Sequence, residues 1–107
     1  MISKPAVAKF WYTVNSQELS KQIATGGGRE VVAVVVTGGS GGAAVRVYNS
    51  PAGAGEPSPS KDAFLLAANG GESTAFCPTQ PALMSKGLYI ELEQGGSGNG
   101  EATVFYN

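Results

Sequence analysis

The sequence predicts an all-β protein, a single antiparallel β-sandwich of jelly-roll-like or Ig-like form with Gly/Pro-rich loops. Three observations lead there. Short apolar stretches alternate with period two, as half-buried strands do. Sixteen glycines and six prolines fall mostly between those stretches, where they supply turns. A length of 107 residues suits one domain with a modest core. Within that domain, residues 1–14 form an N-terminal arm and first strand, and residues 15–107 form the body of the sandwich.

Each element follows from local chemistry. An early strand covers residues 6–14 and contains the aromatic triplet Phe10-Trp11-Tyr12. Residues 15–24 are open between two readings. Asn15 and Glu18 fit a capping box with Leu19 and Ile23 on one helical face, while Gln22 to Thr25 fits a short strand. The strand is preferred, because a helix so short is marginal and Gly26-Gly27-Gly28 ends it. Val31, Val32, Val34, Val35 and Val36 are β-branched and apolar on both faces, which predicts a central strand covered on both sides. Val45 and Val47 then alternate with Arg46 and Tyr48, and Phe64, Leu66 and Ala68 share one face. Leu88, Ile90 and Leu92 make the clearest inner face, with Tyr89, Glu91 and Glu93 toward water. In the last strand, Ala102, Val104 and Tyr106 lie opposite Thr103 and Phe105. The glycine clusters at residues 38–42, 69–71 and 95–100 read as reversals, and Asn69-Gly70 reads as a hairpin turn. Pro51, Pro57 and Pro59 make residues 50–60 an irregular loop.

Composition excludes most chemistry. The chain has no histidine, a net charge of −1, and one cysteine. It therefore lacks the commonest general base and transition-metal ligand. It also lacks the basic footprint of a nucleic-acid binder. Gly39, Gly41 and Ala44 have the spacing of a dinucleotide fingerprint, but a β-patterned segment follows where that motif needs a helix. Glu91 and Glu93 share an outer face and read as solvated carboxylates, paired across strands with Arg46. Cys77, between Phe76 and Pro78, reads as a small buried or half-buried apolar residue with no base to activate it. No apolar run approaches the roughly 20 residues of a membrane span, and no signal peptide is evident. The expectation is a non-enzyme with no catalytic, cofactor-binding or metal residues, no nucleic-acid or membrane partner, and synthesis in a reducing cytoplasm. The candidate partner contact is Phe10, Trp11 and Tyr12: neighbours on a strand alternate faces, so Trp11 cannot share a face with both.

Five segments carry a family resemblance over residues 25–107: Glu30-Val31-Val32-Ala33-Val34-Val35-Val36-Thr37, Val45-Arg46-Val47-Tyr48-Asn49, Ala63-Phe64-Leu65-Leu66-Ala67, Gly87-Leu88-Tyr89-Ile90-Glu91-Leu92 and Ala102-Thr103-Val104-Phe105-Tyr106. The pattern is similar to small β-sandwich structural proteins of tailed bacteriophages. The resemblance implies a virion role: capsid decoration (cement), or a head-fibre, head-tail or tail component. It implies the major capsid protein and a homotrimer as partners, the capsid surface as location, and no catalytic or metal residues. A carbohydrate-binding β-sandwich module is the alternative from a different class.

Overall fold

The structure, a computed structural model, describes residues 7–51, 62–95 and 98–107. The arm at residues 1–6 and most of the loop at 50–60 therefore lie outside the described residues. Nine strands follow one another: β1 (Phe10–Asn15), β2 (Ser20–Ala24), β3 (Arg29–Thr37), β4 (Ala43–Tyr48), β5 (Asp62–Ala68), β6 (Ser73–Phe76), β7 (Ala82–Met84), β8 (Leu88–Gln94) and β9 (Glu101–Tyr106). They form two antiparallel sheets. Sheet A has the order β1-β9-β3-β6, with β7 also on β3, and sheet B has the order β2-β8-β4-β5. β6 pairs with Val34 to Thr37 of β3 and β7 with Arg29 to Val31, so the two act as one interrupted edge strand.

The strand order decides between the two forms left open by sequence. Successive strands cross from sheet to sheet, except β4 to β5 and β6 to β7. Sheet A therefore interleaves first, last and middle strands opposite a sheet B that does the same. This is the jelly-roll winding of two Greek keys, and not the Ig-like arrangement, in which hairpins stay within a sheet.

The inner faces obey the alternation. Leu88, Ile90 and Leu92 are buried, as are Val45, Val47, Ala102 and Val104. Those from sheet B meet Ala102 and Val104, with Val14, Val31, Val34 and Val36, from sheet A to make the core. Phe64 meets Phe76 edge-on at 5.1 Å, closing the sandwich between the β5 and β6 edges. On the outer face of sheet B, Arg46 Nε donates to Glu93 at 3.3 Å, the cross-strand pairing expected of that carboxylate. Glu91, on the same face, is directly opposite Ser20 and Arg46. Glu91→Gln should shift the unfolding free energy by less than about 0.5 kcal/mol, since outer-face substitutions remove little burial. Urea denaturation checks this.

Several expectations are corrected. The valine strand is not covered on both sides: Val31, Val34 and Val36 are buried, whereas Val32, Ala33 and Val35 are half-buried on the outer face. A two-layer sandwich offers each sheet only one covered face, and a bulge between Val31 and Ala33 resets the alternation. The early strand begins at Phe10, not residue 6. The strand preferred over a helix within residues 15–24 is present, with bounds Ser20–Ala24 in place of Gln22 to Thr25. Asn15 does cap, but it caps a turn: its Oδ1 accepts from the Gln17 and Glu18 amides at 2.9 and 3.2 Å. Asn69-Gly70 is a turn, with the Glu72 amide donating to the Asn69 carbonyl at 3.0 Å, yet it is no hairpin. It carries the chain from β5 in sheet B to β6 in sheet A. Cys77 is exposed, because the edge strand breaks beside it before Pro78. Tyr48 lies on the outward side of β4 but is only 3% exposed, stacked at a tilt on Tyr89 at 5.6 Å. β6 and β7 had no counterpart in the sequence reading.

Candidate interaction face on sheet A

β1 is the end strand of sheet A and pairs with β9 in unbroken register from Phe10 opposite Tyr106 to Asn15 opposite Glu101. Alternation then sorts its aromatics. Phe10, Tyr12 and Val14 point to the inner side, and Trp11 and Thr13 to the outer side. Trp11 is 69% exposed.

The registers of β1, β9, β3 and β6 place the outer side chains in rows. Trp11 is opposite Phe105, and Phe105 is opposite Ala33. The next row runs Thr13, Thr103, Val35, Ala75. Thr13 and Thr103 share a hydroxyl–hydroxyl hydrogen bond of 2.8 Å. These two rows contain no charged residue. Glu101 stands at one end of the face and Glu30 at the other, the latter opposite the exposed Leu83 of β7. The outer face of sheet B is different in kind, with Glu91, Glu93 and Arg46 across its centre. The centre of one face is thus uncharged with Trp11 and Phe105 on it, while the centre of the other is charged.

Phe10 and Tyr12 hold the margin of the face. Phe10 stacks on Tyr106 with ring centroids 5.5 Å apart, and the Arg29 guanidinium lies 5.4 Å and 5.7 Å from the two rings. Phe10 nonetheless stays 46% exposed, because it sits at the open end of the inner side. Tyr12 packs on the core, donates its hydroxyl to the Glu18 carboxylate, and has Lys21 Nζ 5.4 Å from its ring centre. That hydrogen bond to Glu18, with desolvation and then the Glu18 charge as smaller causes, raises the Tyr12 phenol above its ordinary value of 10.0.

The sequence-read residues Phe10, Trp11 and Tyr12 are therefore adjacent but divided between sides, with Trp11 alone of the three on the outer face. Sequence reasoning missed its partners there. Phe105 had a visible signal, since alternation sets it opposite to Val104. Leu83 had none, because a strand of three residues shows no period. Other sequence candidates stay apart from this face. Gly39 and Gly41 lie in the arch from β3 to β4, and a strand follows them where a dinucleotide site needs a helix. Among the described residues no three metal-ligating side chains cluster, and no helix is long and apolar enough to cross a membrane.

The strand order makes the chain a jelly-roll sandwich, and exposed Trp11 with half-buried Phe105 beside it makes the outer face of sheet A its candidate contact surface. Compared with family models, curated proteins and solved structures, the chain gives no match.

Proposed function

We propose that this chain is a virion structural protein of a tailed bacteriophage, a capsid decoration protein that lays the outer face of sheet A against the major capsid protein of the assembled lattice. The observation that carries the reading is Trp11, 69% exposed and opposite Phe105, in the uncharged central rows of the sheet A face. Exposed aromatics clustered with other apolar groups are the usual anchors of protein contacts. The sequence resemblance supplies the kind of partner. The jelly roll supports it, being an architecture shared by viral capsid and lectin domains, although fold alone does not fix function. A subunit that binds only the assembled shell stabilises it by mass action, by about 2.7 kcal/mol per site at a free concentration 100 times its Kd. No bond is made or broken. The protein then belongs on the capsid surface, after synthesis in the host cytoplasm.

Trp11→Ala should weaken co-sedimentation with particles about 30-fold, corresponding to a loss of ~2 kcal/mol at a central aromatic. Its unfolding midpoint should stay near that of the unaltered protein, because the removed ring is mostly outside the core. Unchanged attachment would remove the face from the contact. Specific binding of an oligosaccharide through Trp11, with no attachment to particles, would instead favour the carbohydrate-binding reading.

A further inference from the structure

The four sheet edges of the sandwich differ in how they are protected against pairing with another strand. β2 carries Lys21 and a register shift between Gln22 and Ala24. β5 begins at a register shift, where Asp62 pairs out of step with Tyr48. The β6/β7 edge is broken between Phe76 and Ala82, a gap containing Pro78 and Pro81. Charges, bulges, prolines and short strands are the usual devices that keep edges apart. β1, Phe-Trp-Tyr-Thr-Val-Asn, has none of them: no charge, no proline, and no shift along its six residues. Its outer edge pairs with no strand among the described residues, and only its last residue, Asn15, is closed, by a backbone bridge to Glu18 of 2.9 and 3.1 Å.

We propose that β1 is a dimerisation edge and that its occupant is β1 of a second copy, joined antiparallel about a two-fold axis at Tyr12. An isologous contact of this kind extends sheet A across both subunits. Residues directly opposite in an antiparallel ladder share a face, so outer-side residues must meet outer-side residues. An axis at Tyr12 satisfies this: Trp11 meets Thr13 of the other copy and Phe10 meets Val14, and the ladder stops short of Asn15, whose backbone is held by Glu18.

Charge selects this axis over its neighbours. Tyr12 is flanked by Glu18, which accepts its hydroxyl, and Lys21, whose Nζ is 5.4 Å from the ring centre. Both flanking side chains are exposed. β1 reverses through the turn at Asn15 into β2, so Glu18 lies toward the Asn15 end of β1 and Lys21 back toward Phe10. A two-fold at Tyr12 exchanges those ends and sets Glu18 of each copy beside Lys21 of the other. An axis at Thr13 moves toward the Asn15 end and draws the two Glu18 side chains together, which repels. The dimer also places two Trp11 side chains on one broad outer face. It differs from the homotrimer implied by the resemblance, because a strand edge occupied by its own two-fold copy cannot also close a three-fold ring.

The test is light scattering with sedimentation equilibrium on the full chain, across micromolar to millimolar concentrations. The expected mass is twice the 10.8 kDa of one chain. Lys21→Glu and Glu18→Lys should each raise the dimer dissociation constant about tenfold or more, as each turns two attractions into repulsions. The double variant Glu18→Lys/Lys21→Glu should restore it. Circular dichroism establishes that each variant is folded, and both sites are exposed enough for that. A mass of 10.8 kDa at every concentration, or a trimer, overturns the proposal. So does a dimer that ignores both single variants, or one that the double variant fails to rescue.

Discussion

Ile90→Asp should abolish the cooperative unfolding transition and leave a chain without native circular dichroism at neutral pH. Ile90 is fully buried in β8, opposite Lys21 of β2 on one side and Val47 of β4 on the other. Its side chain points into the core with Leu88, Leu92, Val34 and Val45. Two effects add. Loss of the branched side chain forfeits about 2–5 kcal/mol of packing and burial. Lys21 is directly opposite, but its ammonium sits 5.4 Å from the centre of the Tyr12 ring on an exposed side chain, so a carboxylate at the fully buried position 90 must stay charged at a cost of several kcal/mol or take up a proton at neutral pH. Together these match a total stability of about 5–15 kcal/mol. Ile90→Val keeps the shape and should cost only about 0.5–1.5 kcal/mol. A soluble Ile90→Asp protein with the native spectrum and urea midpoint would mean that Ile90 does not face the core.

That inner face was legible because strong alternation survives in β8, β4 and β9, where one side is buried and the other wet. Leu88, Ile90 and Leu92, or Ala102 and Val104, need no tertiary knowledge to be placed. The connections were not legible. Residues 38–42, 69–71 and 95–100 look like hairpin turns, since a glycine reversal has the same composition whether the chain rejoins its own sheet or crosses to the facing one. The difference is set by which distant strand is free to pair. Val34 to Thr37 of β3 claims Ser73 to Phe76, and this pulls β6 away from β5. Short edge strands escaped for a related reason: β7 is held by register with β3, not by a pattern of its own. At the candidate face, Trp11 could be assigned to a side by parity with Tyr12. Its company could not, because Phe105 and Ala33 reach it only through the β1-β9-β3 order. Cys77 was misplaced because its neighbours are apolar, while its exposure comes from the break in an edge strand.

Gly39→Ala is the second substitution with a large expected effect, and it tests how the jelly-roll winding is locked. Three crossings between the sheets meet at Gly39. It belongs to the arch from β3 to β4, and its carbonyl accepts the Gly71 amide of the β5–β6 arch at 2.7 Å. Its α-carbon faces the β8–β9 arch so closely that an added Cβ would stand 2.7 Å from the Asn99 carbonyl carbon and 2.8 Å from the Gly98 oxygen. These are backbone atoms, which no rotamer change can move aside. Gly39 also has φ +63°, where a side chain costs about 1–2 kcal/mol before any overlap is counted. Separating the arches to make room would stretch the hydrogen bond from Gly71 and shift Asn99, itself held at φ 70°. The expected loss is about 3 kcal/mol or more, read as a lower urea midpoint with little change in slope. Gly26→Ala is the control: no atom lies within 4 Å of its added Cβ. It should stay within about 0.5 kcal/mol of the unaltered protein, because an open surface site offers nothing to overlap. Equal stabilities for the two variants would mean that the three arches do not converge at Gly39 in solution, and that the winding is held by the core alone.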